Sequence, residues 1–116
     1  MIISFAWTTR SFLAGEKTCT RRRWDDRYFQ KWVDAYVEGR TIHDAYDKTP
    51  RFGGKKVGRL ELTCKPYKER LTDMPDDDVI AEGGLWADKR EFIDLFGDPE
   101  EVVCVIRFKP ILEKVE

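Results

Sequence analysis

The stretch Gly15-Glu16-Lys17-Thr18-Cys19-Thr20-Arg21-Arg22-Arg23 sets a turn residue, a lysine, two alternate threonines and three consecutive arginines side by side. From Lys17 to Arg23 it reads as a β-strand, with Thr18, Thr20 and Arg22 on one face and Lys17, Cys19, Arg21 and Arg23 on the other. Gly15 supplies the left-handed residue at which a preceding helix commonly stops. No other part of the chain gathers so many cations and hydroxyls over so few positions. The remaining sequence must supply whatever site is built around them.

Upstream, Ile2 to Trp7 alternates as a short strand, with Ile3, Phe5 and Trp7 on one face. Thr8 or Thr9 is placed to cap a short helix that carries Phe12 and Leu13 inward. Downstream, Asp25 or Asp26 opens the longest helix, which runs to Glu38 and stops at Gly39. Its Tyr28, Phe29, Trp32, Val33, Tyr36 and Val37 recur at helical spacing and read as core. Thr41 to Asp47 is a weak strand containing His43, which reads as a surface or structurally satisfied residue rather than a catalyst. Pro50 to Lys56 is a turn or loop without P-loop spacing, either a flexible basic flap or an ordinary hairpin connection.

Lys56 to Lys65 alternates well, with Leu60, Leu62 and Cys64 on one side, and Pro66 ends it or places it at an edge. Thr72 or Asp73 opens a short helix with Pro75 in its first turn; Val79, Ile80 and Ala81 follow, and Gly83-Gly84 stops it. That leaves Glu82 as a carboxylate at the negative end of a helix, a local mismatch of the kind that marks functional sites. Asp88 and Glu91 form a capping box for a further helix, with Phe92, Ile93, Leu95 and Phe96 inward and Gly97 and Pro99 ending it. Val102 to Phe108 is nearly continuous apolar, β-branched sequence and reads as a central strand buried on both faces. Four or five strands with helices between them predict an α+β fold, a small mainly β barrel with helical decoration.

At 116 residues, 41% of them apolar, the chain can bury a single core without staples. Its formal net charge of −1 argues against a nucleic-acid binder that works through overall positive charge, so any polyanion site must be local. The charge is indeed segregated: only basic residues from Lys17 to Arg23 and from Lys48 to Arg59, only acidic ones from Asp73 to Glu82. Cys19, Cys64 and Cys104 are odd in number and widely spaced, with a single histidine, so neither a disulfide framework nor a zinc site is expected. No metal and no cofactor are expected. The first residues lack a signal-peptide pattern and no run is long enough to span a membrane, so a cytoplasmic location is expected.

Leu13 to Arg22 resembles the G-x-K-T-x-T-x-R signature of the ASCH domain, the activating-signal-cointegrator homology family. Ala81-Glu82-Gly83-Gly84, followed by a helix containing Glu91-Phe92, is similar to that family's later E-G segment, and the strand from Val102 to Phe108 fits as well. The resemblance spans nearly the whole chain, 1–116, as one domain. It implies a PUA-like barrel of about five or six strands, with a cleft lined by the K-T-x-T segment. Family members are proposed to bind RNA, and a small bacterial branch hydrolyses N4-acetylcytidine with a lysine, a threonine and a glutamate. Those roles would fall on Lys17, Thr20 and Glu82. A ribonuclease activity is reported in another branch. The Asp25–Glu38 helix and the Arg51–Lys56 loop are additions relative to the smallest members.

Three classes of function follow. The first is binding of single-stranded RNA or a modified nucleoside, with Thr18, Arg21, Arg22 and Arg23 on the cleft segment, Lys55 and Lys56 closing over it, and Trp7 and Trp24 stacking bases. The second is an amidohydrolase using Lys17, Thr20 and Glu82, or a ribonuclease. The third is a protein-interaction module whose ionic surface serves solubility. Binding asks for less, because catalysis carries a geometric demand: residues three apart on a regular strand face opposite ways, so Lys17 and Thr20 can share a site only if the backbone bends near Lys17.

Overall fold

The β-branched and alternating segments become six strands in the computed structural model, which describes residues 1–112. In chain order the elements are β1 (Ile2–Ser4), α1 (Thr9–Leu13), β2 (Cys19–Arg22), α2 (Asp26–Val37), β3 (Ile42–Tyr46), β4 (Lys56–Leu62), β5 (Tyr67–Arg70), α3 (Asp78–Ala81), α4 (Lys89–Asp94) and β6 (Val102–Ile111). They form one mixed sheet in the order β1-β3-β4-β6-β2, with β5 also on β6, curled into a half-barrel. Among the described residues only the β1–β3 pairing is parallel. The α+β class is as expected; the sheet closes half of the expected barrel.

β6 is the hub. Its C-terminal part pairs with β4, its N-terminal part with β5, and β2 pairs with Cys104 to Arg107. Val103, Val105, Ile106 and Phe108 are buried along it, as the unbroken apolar run predicts. Inside the half-barrel Phe12, Trp32, Leu60 and Phe108 are fully or almost fully buried. Each such aliphatic or phenyl side chain contributes about 1.5–3 kcal/mol over leaving it in water. α2 lies across this core, its start fixed by Asp25, whose carboxylate accepts from Tyr28 N at 2.7 Å.

Several expectations change. β1 stops at Ser4 rather than Trp7, because Ala6 takes φ 49°, the one positive φ outside glycine among the described residues. This sparsely populated conformation turns the chain into a short 3-10 helix, Ala6–Thr8, and leaves Trp7 outside the core. Leu13 and Leu95 are exposed. In α3 the inward residue is Asp78 and not Ile80, which is 65% exposed. β5 is an addition: its inner face consists of Tyr67 and Glu69, so it lacks the apolar alternation that announces a strand. Among the described residues no helix is long and apolar enough to cross a membrane.

His43 is a buried residue, not a surface one. Its Nδ1 lies 2.9 Å from the Met1 amino group, and its ring lies 4.5 Å from that of Trp32. Burial, with the Met1 ammonium adding to it, pushes the imidazole down to about 4. The unfolded chain therefore takes up a proton near the ordinary ~6.5 while the folded one does not, and stability is lost as pH falls through that window. The urea midpoint is expected to fall more steeply between pH 6.5 and 4 for the native protein than for His43→Gln. Parallel slopes would refute this placement of His43.

Candidate functional site

The backbone bend near Lys17 is present, and its cause lies outside the basic stretch. Gly15 at φ 76° ends α1 in the left-handed region. Ser11 O then accepts from both Glu16 N at 3.0 Å and Lys17 N at 3.2 Å, while Thr18 N donates to Ala81 O at 2.8 Å. These bonds hold residues 16 and 17 out of the ladder and leave Thr18 joined to β6 through its carbonyl, which accepts from Phe108 N at 2.9 Å; β2 begins at Cys19 and pairs with β6 in unbroken register. Lys17 is thereby freed from strand alternation. It lines the same cleft as Thr20.

Glu82 arrives from the end of α3. It is the C-cap residue, 3% exposed, and Lys17 Nζ donates to its backbone O at 2.5 Å and to Oε1 at 3.3 Å. The lysine thus satisfies an orphan carbonyl of the helix end and offsets the adverse carboxylate there. Gly83 follows at φ 135°, with its carbonyl accepting from Ser11 Oγ at 2.7 Å. A Cβ at Gly83 would sit 3.4 Å from that hydroxyl in a backbone region closed to other residues, so this turn requires glycine.

The cleft measures about 280 Å³. Lys17, Thr20, Arg22 and Glu82 make its polar end, with the Phe5 ring 5.7 Å from Lys17 Nζ. Trp7, Trp86, Phe92 and Phe96 make the aromatic side, Trp86 standing edge-on to Trp7 at 5.5 Å and to Phe92 at 4.7 Å. Trp7 remains 64% exposed, so most of its ring is free. Thr20 Oγ1 accepts from Arg22 Nε at 2.9 Å, and Arg22 Nη2 is anchored on Ser4 O at 2.9 Å. A larger groove of about 760 Å³ runs beside α4, lined by residues such as Val79, Ile93 and Pro99, away from these groups.

Burial pushes the Lys17 amine below its ordinary value; Glu82 opposes this and Arg22 reinforces it. Arg21 and Arg107 bond Glu69, Asp78 and Glu82, whereas Arg22, bonded to Thr20 and Ser4, acts on Lys17 through its charge alone. Without its proton the amine would keep two N–H bonds for its two Glu82 acceptors and have a lone pair free to accept from a hydroxyl. Cys19, pushed by burial up to about 12, is no nucleophile. Among the described residues no group of three or more His, Cys, Asp or Glu could hold a metal ion.

Of the residues picked from sequence, Lys17, Thr20, Glu82, Arg21, Arg22, Arg23 and Trp7 line this cleft. Arg23 is at its rim, paired with Glu101 and lying over Phe96 at 5.1 Å. Four others do not belong to it. Thr18 is spent on backbone bonds to Ala81 and Phe108, and Trp24 stacks on Trp32 at 5.2 Å as part of the core packing. Lys56 pairs with Asp44 on the neighbouring strand, and Lys55 sits on the loop closed by Asp47, so neither closes over the cleft. Glu69, Asp78, Arg107 and Trp86 are the residues that sequence reasoning did not select. Comparison with known proteins returns no matching family model, no matching curated protein and no matching solved structure.

Proposed function

We propose that the protein is an ASCH-type amidohydrolase that cleaves the exocyclic amide of an N4-acylated cytidine or a closely similar acylated nucleoside. The observation that carries this reading is the convergence of Lys17, Thr20 and Glu82 on one cleft, with the lysine buried and its proton affinity lowered. A threonine hydroxyl needs a neighbouring base to become a nucleophile, and a buried lysine of lowered proton affinity is suited to that role. In this scheme Lys17 takes the hydroxyl proton as Thr20 Oγ1 adds to the acyl carbon. Arg22 Nε, already donating to that oxygen, stabilises it as it loses the proton. The amine then leaves with the proton from Lys17. Water, deprotonated in the same way, releases the carboxylic acid and restores Thr20.

The size and lining of the cleft suit this substrate class. Its volume lies just under the ~300 Å³ at which drug-sized ligand pockets begin, room for one nucleoside and not for folded RNA. The free face of Trp7 offers a stacking surface for a planar base. Incubation with N4-acetylcytidine should give cytidine and acetate in equal amounts. Thr20→Ala should abolish this and Thr20→Ser should retain part of it. Nucleoside binding without any turnover at high enzyme concentration would replace the hydrolase with a binding module.

A further inference from the structure

Behind the cleft the polar residues continue into an enclosed charge cluster that the scheme above leaves unused. The Arg21 side chain is fully buried, and its two terminal nitrogens are committed to three carboxylates from β5 and the two ends of α3. Nη1 donates to Glu82 Oε2 at 2.9 Å, while Nη2 donates to Glu69 Oε1 of β5 at 2.8 Å and to Asp78 Oδ2 of α3 at 2.5 Å. Asp78 is itself held by Arg107 of β6, through Nη1 at 3.1 Å and Nη2 at 2.6 Å, and Arg107 Nε donates to the Tyr67 hydroxyl at 2.9 Å. A planar fork fixed at this many points has one orientation. With Arg21 on Oε2, Lys17 meets the Glu82 side chain through Oε1.

We propose that Arg21 is a positioning residue: by fixing one oxygen of Glu82 it sets how that carboxylate meets Lys17, and with it the charge that Lys17 carries. Arg21 is the cation on Oε2 of Glu82; without it Glu69, Asp78 and Glu82 keep Arg107 as their one bonded guanidinium, and the added negative charge beside Lys17 favours its protonated form. Arg22 places the same positive charge near Lys17 in either case. The other titratable groups facing the cluster do not reverse this direction. Burial raises both Cys19 and Tyr67, which stay neutral, and Arg23 is matched by Glu101 farther out. The effect on turnover rests on the amidohydrolase reading; the effect on Lys17 rests on the geometry alone.

The test titrates Lys17 by NMR in lysine-labelled protein, its signal assigned by loss in Lys17→Met. Arg21→Met should raise the proton affinity of Lys17 about tenfold or more, the size expected when a carboxylate loses a cationic partner. Glu69→Gln removes an anion and should lower that affinity. Opposite directions in the two variants support the proposal; no change, or change in the same direction, overturns it. Glu69 is partly exposed, so Glu69→Gln decides the matter alone if Arg21→Met does not fold. In kinetics with N4-acetylcytidine, the alkaline-going rise of kcat/KM should move with the Lys17 titration in Arg21→Met. Arg21→Lys keeps the charge but not the fork. It should lower kcat tenfold or more with that rise little displaced, and a lysine variant as fast as the native protein would overturn the proposal. If the native protein hydrolyses no acylcytidine, the amidohydrolase reading fails while the NMR titration still decides the role of Arg21.

Discussion

Lys17→Met should lower turnover of N4-acetylcytidine about a thousandfold, within the ~10²–10⁴ that general-base catalysis contributes, and leave the fold at least as stable as before. The two halves of this expectation have one cause. A buried lysine whose pKa is lowered is more costly to fold with its proton than without it. The unfolded chain holds that proton up to the ordinary ~10.4, so the stability of the native protein rises with pH from the lowered folded value to that limit. Methionine has similar length and no charge to desolvate, and its thioether suits the neighbourhood of Phe5, whose ring lies 5.7 Å from Lys17 Nζ. Glu82 is not left as a lone buried charge, because Arg21 still holds Oε2 at 2.9 Å. Urea unfolding of both proteins from pH 6 to 10 should therefore show a rise in the native protein that the variant lacks. If Lys17→Met costs more than about 2 kcal/mol, Lys17 is chiefly a structural partner of Glu82 and its assignment as the base fails.

That combination, activity lost with stability kept, characterises groups held in place for chemistry. It also bears on how far the sequence could be read. Lys17, Thr20 and Glu82 were singled out together by the resemblance to the ASCH signature, and Glu82 also by its mismatch with the helix end. The bend that brings Lys17 to Thr20 was not, since it depends on the carbonyls of Ser11 and Ala81, and Ala81 lies far along the chain. Lys55 and Lys56 show the reverse error. Sequence charge joined them to the basic strand, whereas β3 and the β3–β4 loop engage them elsewhere.

The charge cluster behind the cleft was the least legible part, for a physical reason. Hydrophobic periodicity reveals faces that are buried apolar, and this face is buried polar. Glu69 and Tyr67 line the inner side of β5, so the strand itself went unseen. Asp78 read naturally as one of several acids at a helix start. The one available signal was Arg107, a cation inside the otherwise apolar run Val102 to Phe108, which requires a partner from somewhere.

Asp78→Ala is expected to cost the fold about 3–5 kcal/mol, the range for removing one partner of a buried ion pair. Asp78 is 7% exposed and stands between two guanidinium groups, accepting from Arg21 at 2.5 Å and from Arg107 at 2.6 Å. Arg21 would keep Glu69 and Glu82, but it is wholly buried, so the two guanidinium groups that lose Asp78 leave an excess positive charge that Arg21 cannot carry into water. Surface pairs supply the contrast: Glu38, 58% exposed beside Arg40, should cost under about 1 kcal/mol when replaced by alanine. The pH dependence has a definite sign. Burial alone would raise the Asp78 carboxyl, but hydrogen bonds from Arg107 and Arg21 hold it below its ordinary value. Its contribution is therefore fully present above the unfolded ~3.9 and is lost as pH falls through the lower folded value. Urea unfolding at neutral pH measures the cost directly, and equal losses for Asp78→Ala and Glu38→Ala would show that the cluster does not hold the fold. Because Arg21 loses an anchor in Asp78→Ala, turnover should fall as well, which separates this variant, unstable and slow, from Lys17→Met, stable and slow.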